Sequence, residues 1–267
     1  MEGSKQPQAV LCLSGGMDST SLLLHLLAGG YQVHTISLDY GQKHKIELQC
    51  LERNLEYLKQ NGLIVPHHVL DLSTLGGLFN SALTSQDWDV PQGFYAQDNM
   101  KQTVVPNRNA IFASIAYGYA LSIATTLQQT VQLALGVHSG DHAIYPDCRP
   151  EFYQALMHAF EVGNWDSELV KLYLPYLEGD KVSILQDAEQ CVGKLGLDFD
   201  QVFANTWTSY QPDAQGRADG RTGSDVERIL AFDAIGRQDP VTYRVSWDEA
   251  LAYAKQAEKD FEGESGD

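Results

Sequence analysis

Two rhythms of hydrophobic and polar positions alternate along this chain. Short unbroken apolar runs give way to longer stretches in which apolar residues recur every three to four positions. Ala9 to Leu13 is a run of strand length, and Ser21 to Ala28 reads as a buried helix that Gly29-Gly30 stops. Gln32 to Leu38 supplies a second β-rich run. Helical spacing returns from Ile46 to Gln60 and ends at Asn61-Gly62, and Val65 to Leu70 is a third strand candidate. Gly76 to Gln102 has weak periodicity and much Gly, Asp, Gln and Pro, so it reads as a long excursion of the kind that serves as a lid or stays disordered. Ala110 to Thr126 is a small-residue apolar helix predicted for the middle of the fold. A strand at Val131 to Val137, a helix from Glu151 to about Val162, a strand at Lys171 to Tyr176 and a helix over Val182 to Leu195 continue the alternation. Such alternation predicts an α/β fold with a parallel sheet flanked by helices. Trp247 to Phe261 adds a terminal helix followed by an acidic tail. The chain divides into a loose polar leader (1–8), an α/β domain (9–205) and a C-terminal segment (206–267).

Between the first strand and the first helix lies Ser14-Gly15-Gly16-Met17-Asp18-Ser19-Thr20. A strand that turns through two glycines into a helix lets the backbone approach an anion and aims the N–H groups of the first helical turn at it. No lysine follows the glycines as a triphosphatase P-loop requires, and the G-x-G-x-x-G dinucleotide pattern is absent. Ser14, Ser19 and Thr20 offer hydroxyls, and Asp18 can hold a Mg²⁺ on the same phosphate oxygens. The plain alternative is a Gly-Gly turn with no ligand.

Composition narrows the class of ligand. Eighteen Lys and Arg against 35 Asp and Glu leave a formal charge of −17, which argues against nucleic acid as a partner. Cys12, Cys50, Cys148 and Cys191 lack C-x-x-C spacing, so neither a disulfide framework nor a metal site is expected of them. With no apolar run long enough to span a bilayer and no signal-peptide pattern, the expected compartment is the cytoplasm, away from membranes.

Further polar clusters fall at the carboxyl ends of the predicted strands, where open parallel sheets bind ligands. Asp39 to His44 follows the second strand; Arg108-Asn109 is placed either to grip an anion or to cap the apolar helix. The densest constellation, His138 to Arg149, admits a transition metal, a structural loop with an Asp-capped helix, or ligand recognition through buried aspartates. Lys181, at a helix boundary, either reaches negative charge on a phosphoryl or acyl oxygen or is a solvated surface charge.

The string SGGxDS is the signature of the PP-loop ATP pyrophosphatases, which this chain resembles. SGGMDS, LDYGQKH, VPNRN, GVHSGDHAIYPDCRPEF and GDKVSI follow one another as in the QueC (7-cyano-7-deazaguanine synthase) family, a resemblance running from Val10 to about Tyr243. It implies a Rossmann-like, adenine nucleotide alpha hydrolase-like fold. It also implies ATP- and Mg²⁺-dependent adenylation of the carboxylate of 7-carboxy-7-deazaguanine, followed by transfer to ammonia and a second activation to the nitrile. On that resemblance Ser14, Gly15, Gly16, Asp18, Ser19 and Thr20 hold ATP, with Asp18 on Mg²⁺. Tyr40, Gln42 and His44 border the acyl site, with Arg108 and Asn109 beside the carboxylate. Asp141, Tyr145, Asp147 and Arg149 recognise the deazaguanine, and Asp18, Arg108 and Lys181 carry the chemistry.

One departure is large. The family carries four zinc-binding cysteines near the C-terminus, and the matching places hold Ser209, Ala218, Arg221 and Ser224, so zinc is expected to be absent. Asp213, Arg217, Asp219, Arg221 and Asp225 are the candidates to hold that loop by pairing, as is a partner chain. A changed loop also admits a different acceptor, an amine on an operon-encoded protein as in antiviral operons, and the chain allows for a homodimer. A catalytically silent nucleotide-binding module is the remaining alternative.

Overall fold

The computed structural model describes residues 5–41, 46–78, 81, 104–138, 140, 145–209, 213 and 215–264. Five strands, β1 (Gln8–Cys12), β2 (Gln32–Asp39), β3 (His67–Asp71), β4 (Val131–Ala134) and β5 (Val170–Tyr173), form one parallel sheet in the order β3-β2-β1-β4-β5. Registers such as Leu11 opposite Thr35 and Leu11 opposite Ala134 put β1 in the middle. The central strand is apolar from Ala9 to Cys12 because both of its faces are covered there. Ala9, Leu11 and Leu13 face one helical layer while Val10 faces the other, as period-two alternation demands.

The first layer contains α1 (Met17–Ala28), α5 (Lys181–Leu195) and, packed in the same core, α2 (Ile46–Gln60), α6 (Phe199–Ala204) and α7 (Gly223–Ala234). A polar tie joins α1 to α5: His25 Nδ1 lies 2.9 Å from Asp187 Oδ2, and the Tyr176 hydroxyl donates to the same oxygen at 2.6 Å. The second layer contains α3 (Arg108–Leu127) and α4 (Pro150–Gly163). α3 is long and apolar enough to cross a membrane by length and composition, contrary to the expectation of no such run. Its Ala116, Tyr117, Ala120 and Ala124 are buried against Val10, Ile36, Leu133 and Val170 of the sheet, so small side chains let the helix lie close to the strands. The last helix, α8 (Trp247–Glu264), packs Ala250 and Ala254 on Val226 and Ile229 of α7. Ala231 and Phe232 of α7 sit in the same core as Leu11, which joins the C-terminal segment to the sheet layer.

Several boundaries differ from the sequence reading by a few residues, each for a local reason. α3 begins at Arg108 because Asn107 takes a left-handed conformation (φ 60°) just before it. α5 begins at Lys181 because the Asp180 carboxylate accepts from the Ser183 N–H at 2.8 Å as a capping box. β5 spans Val170–Tyr173, shorter than Lys171 to Tyr176, since Pro175 has no N–H for a strand ladder. β3 begins at His67, directly after Pro66. The excursion read at Gly76 to Gln102 lies outside the described residues except for Gly76 to Leu78 and Ser81.

Candidate active site

The chain leaves β1 through Leu13, whose N–H donates to the Ile36 carbonyl at 2.8 Å and whose carbonyl accepts from the Ser37 hydroxyl. It then turns at Gly15, where φ is +89° and a Cβ would stand 2.3 Å from the Glu47 carbonyl oxygen. Only glycine satisfies both conditions. The Ser14 N–H donates to Ser19 Oγ at 3.2 Å, the Gly16 N–H to Ser14 Oγ at 3.1 Å, and Ser19 Oγ to the Gly16 carbonyl at 3.3 Å. These bonds fix the turn ahead of α1. Helix geometry leaves the N–H groups of Met17, Asp18 and Ser19 without intrahelical acceptors, and all three residues line a cavity of about 270 Å³. Gly136, after β4, passes the same turn so closely that a Cβ there would be 3.3 Å from the Asp18 carbonyl carbon. The cavity therefore opens where β1 parts from β4, the switch point of the strand order.

Four ionisable side chains meet at its floor. Lys181 Nζ donates to Asp18 Oδ2 at 2.9 Å, lies 3.1 Å from His138 Nε2 and 3.4 Å from Glu227 Oε2. His138 is fully buried, and its Nδ1 accepts the Gly140 N–H at 3.1 Å. Burial works to raise the Asp18 carboxyl, but Lys181 and His138 outweigh it and hold the group below its ordinary value. Asp18 is therefore a carboxylate at neutral pH. Its second oxygen, Oδ1, is buried with no hydrogen-bond partner among the described residues. An orphaned carboxylate oxygen beside the N-terminus of α1 fits a hard cation bound to phosphate oxygens, so these residues suit a Mg²⁺-bound nucleotide.

The opposite wall is built from α2, α3 and the end of β2. Arg108 projects from the first turn of α3, with its guanidinium carbon 6.0 Å from the Tyr145 ring centroid. Tyr40 stands 5.4 Å from Phe112, ring to ring, and burial raises its phenol while Arg108 opposes that shift. Glu47, on α2, is pushed up to about 7 by burial, again against the pull of Arg108. Asn109 turns aside: its backbone N–H donates to Asp147 Oδ2 and its side-chain Nδ2 to the Asp147 carbonyl, both at 3.4 Å.

A third wall comes from the C-terminal segment. The Trp207 N–H donates to the Gly15 carbonyl at 2.9 Å, and Trp207, Thr208, Ser224 and Glu227 face the cavity. The four places where the resemblance puts zinc ligands do not fit a zinc ion. Ser209 and Ser224 spend their hydroxyls on Asp225 and the Thr208 carbonyl, at 3.0 Å each, Ala218 has no donor, and Arg221 lies over the Tyr253 ring at 5.3 Å. The charged candidates for holding this loop separate: Asp213 pairs with Arg217 at 2.7 Å, Asp219 pairs with Arg244 at 2.9 Å, and Asp225 is buried.

Among the sequence candidates, Ser14, Gly16, Asp18, Ser19, Tyr40, Arg108, Asn109, Tyr145 and Lys181 line one cavity. Gly15 stands behind the wall against Glu47, and Thr20, the fourth residue of α1, is buried with its N–H given to the Gly16 carbonyl at 3.1 Å. Asp147 and Arg149 are not among the lining residues; Asp147 acts on Asn109, and Arg149 precedes α4. Gln42, His44 and Asp141 lie outside the described residues. Glu47 and Glu227 escaped the sequence reading. Both sit on ordinary amphipathic helices, and only the placement of Glu47 just after the polar end of β2 could have drawn attention to it.

Residues 8–236 match the family model of the queuosine biosynthesis protein QueC. The chain is 42% identical over 244 residues to a 7-cyano-7-deazaguanine synthase of Caldicellulosiruptor saccharolyticus, covering 91% of this chain and 99% of that one. It is 45% identical over 236 residues to the enzyme of the same name from Methanoregula boonei, covering 88% and 99%. Among solved structures, a 4-thiouridine synthetase in complex with RNA and bound ATP overlaps 94% of this chain and 53% of its own, at 17% identity and a TM-score of 0.43.

Proposed function

The chain belongs to the QueC family, and from that premise we propose that it adenylates the carboxylate of 7-carboxy-7-deazaguanine with ATP and passes the acyl group to ammonia, forming the amide and then 7-cyano-7-deazaguanine. The observation that carries this reading is the meeting of Asp18, with its unpartnered buried oxygen, and Lys181 at the N-terminus of α1, in one cavity with Arg108.

In this account the N–H groups of Met17 to Ser19 and the Ser14 hydroxyl hold the β- and γ-phosphates. Asp18 would hold the Mg²⁺ that neutralises those phosphates. Arg108 draws the substrate carboxylate toward the α-phosphorus, and Tyr145 flanks the base. A carboxylate oxygen attacks the α-phosphorus and pyrophosphate leaves. Lys181 stabilises the charge that builds on the phosphoryl oxygens. The amine nitrogen then attacks the acyl carbon, loses a proton and expels AMP, which keeps the attacking oxygen. Glu47, with its carboxyl near neutrality in the cavity wall, is suited to take that proton. In the second round the amide oxygen attacks another α-phosphorus and leaves with AMP, and the nitrogen gives up its two protons to become the nitrile.

The test is incubation with ATP, Mg²⁺, 7-carboxy-7-deazaguanine and ammonium, following AMP, pyrophosphate and product mass. Equal AMP and pyrophosphate with a nitrile product supports the reading. No AMP with any amine would point instead to a silent nucleotide-binding module. The altered loop that carries Ser209, Ala218, Arg221 and Ser224, the last of which lines the cavity, favours a second acceptor, an amine on an operon-encoded partner protein. A partner gaining the mass of the acylated deazaguanine, with no nitrile formed from ammonium, would select it.

A further inference from the structure

A buried carboxylate outside the reacting cluster has an arrangement that helix capping does not account for. Asp225 is 1% exposed, and its Oδ2 accepts from Ser209 Oγ at 3.0 Å, Thr222 Oγ1 at 2.7 Å, the Gly220 N–H at 3.1 Å and the Thr222 N–H at 3.4 Å. A capping box at the start of α7 needs only Thr222 and Asp225. Ser209 and Gly220 come from outside the helix, and Ser209 Oγ in turn accepts the Asp219 N–H at 3.3 Å. Gly220 has φ +77°, and a Cβ there would stand 3.2 Å from the Tyr243 ring. The backbone is thus drawn in tightly to reach the carboxylate. Bonds to an ionised acceptor are stronger than neutral ones, so several converging donors make one rigid knot.

We propose that Asp225 is a positioning residue: it ties Ser209 and Gly220 to α7 without a metal ion, and thereby sets the cavity wall at Trp207, Thr208, Ser224 and Glu227. The path to the reacting groups is short. The Ser224 hydroxyl, one residue before Asp225, donates to the Thr208 carbonyl at 3.0 Å. Trp207 bonds to Gly15, and Glu227 reaches Lys181, which bonds to Asp18. A slack knot lets both α7 and the Trp207 segment shift, and Lys181 loses one of the groups that aims it. The geometry is independent of which acid is activated, while its effect on turnover rests on the adenylation reading.

The experiment uses the full chain as Asp225→Ala, Asp225→Asn and Ser209→Ala, with two readouts. Amide exchange at Gly220 and Thr222 should speed up about 30-fold in Asp225→Ala, the scale of losing a buried charged acceptor, with β1 and β4 amides unchanged. Turnover to AMP should fall by a similar factor, roughly 30-fold, while ATP-binding stoichiometry and affinity stay within about threefold. Asp225→Asn, which keeps an oxygen acceptor, should recover much of both. If Asp225→Ala does not fold, Ser209→Ala should show the same pattern at about 3- to 10-fold. Unchanged exchange at Gly220 overturns the proposal, even if the wild type proves to have no turnover. So does a turnover loss that merely tracks the fraction able to bind ATP. Exchange protection that a chelator removes and added zinc restores also overturns it.

Discussion

Asp239→Ala should strike the chain at a heavily hydrogen-bonded buried ion pair. Arg228 is 1% exposed, and Asp239 takes its Nε and Nη2 at 2.6 and 2.9 Å. The rest of the guanidinium donates to Thr206 Oγ1 at 2.8 Å, Thr208 Oγ1 at 3.1 Å and the Phe203 carbonyl at 3.2 Å. The Tyr243 hydroxyl donates to Asp239 Oδ2 at 2.6 Å, and burial together with the Asp239 charge keeps that phenol protonated. Removing the carboxylate leaves a buried guanidinium without its directly paired, hydrogen-bonded counter-charge, which costs about 3–5 kcal/mol. Against a typical total of about 5–15 kcal/mol that is a large share. At roughly 2–4 °C per kcal/mol for a chain of this size, the melting temperature should drop by about 10 °C. Urea denaturation should show a lower midpoint with an unchanged slope, since the surface exposed on unfolding is the same. Replacing both partners, as Arg228→Met with Asp239→Leu, should be milder than the single change, because no charge is then stranded. A single-variant loss below about 1 kcal/mol, or a double variant as unstable as the two singles summed, would refute the reasoning.

Three other outcomes follow from the same geometry. On the proposed function, Lys181→Met should lower kcat by about 10²- to 10³-fold with KM for ATP nearly unchanged, as expected of an ammonium that acts on charge developing only during transfer; an equal effect on KM would assign it to ground-state binding. Gly15→Ala should lose stability and ATP binding together, since the new methyl carbon meets the Glu47 carbonyl at 2.3 Å on a backbone with φ +89°, and a variant that binds ATP normally would contradict that packing. Glu47 has its carboxyl raised from 4.5 to about 7, so the folded chain holds this proton more tightly than the unfolded chain does. Its contribution to stability is fully present below about 4.5 and is lost as the pH rises through about 7. Urea midpoints at pH 5 and pH 8 should therefore fall more in the wild type than in Glu47→Gln, and equal falls would place Glu47 in water.

The turn from β1 into α1 was legible because its geometry is local: two glycines, two hydroxyls and an acid lie within six residues. The layered parallel sheet was legible for a similar reason, each strand and helix declaring its own period. The boundaries that moved depend on caps, such as the left-handed Asn107 before Arg108 and the Asp180–Ser183 box before Lys181. The partners across the cavity were not legible. Glu47 and Arg108 come from helices on opposite faces of the sheet, and nothing in either local sequence announces the other. Gly136 read as an interior residue of a strand ending at Val137, whereas β4 ends at Ala134 and Gly136 lets the chain beyond it pass within reach of the Asp18 backbone. The Thr222-x-x-Asp225 pattern is a readable cap, but the donors arriving from Ser209 and Gly220 follow from the tertiary fold alone.

The fate of the carboxylate oxygens tests the account most directly. With 7-carboxy-7-deazaguanine carrying ¹⁸O in both carboxylate positions, one labelled atom should appear in the AMP released, because that oxygen attacks the α-phosphorus and departs with it. Unlabelled AMP, or ADP and phosphate in place of AMP and pyrophosphate, would contradict activation at the α-phosphorus.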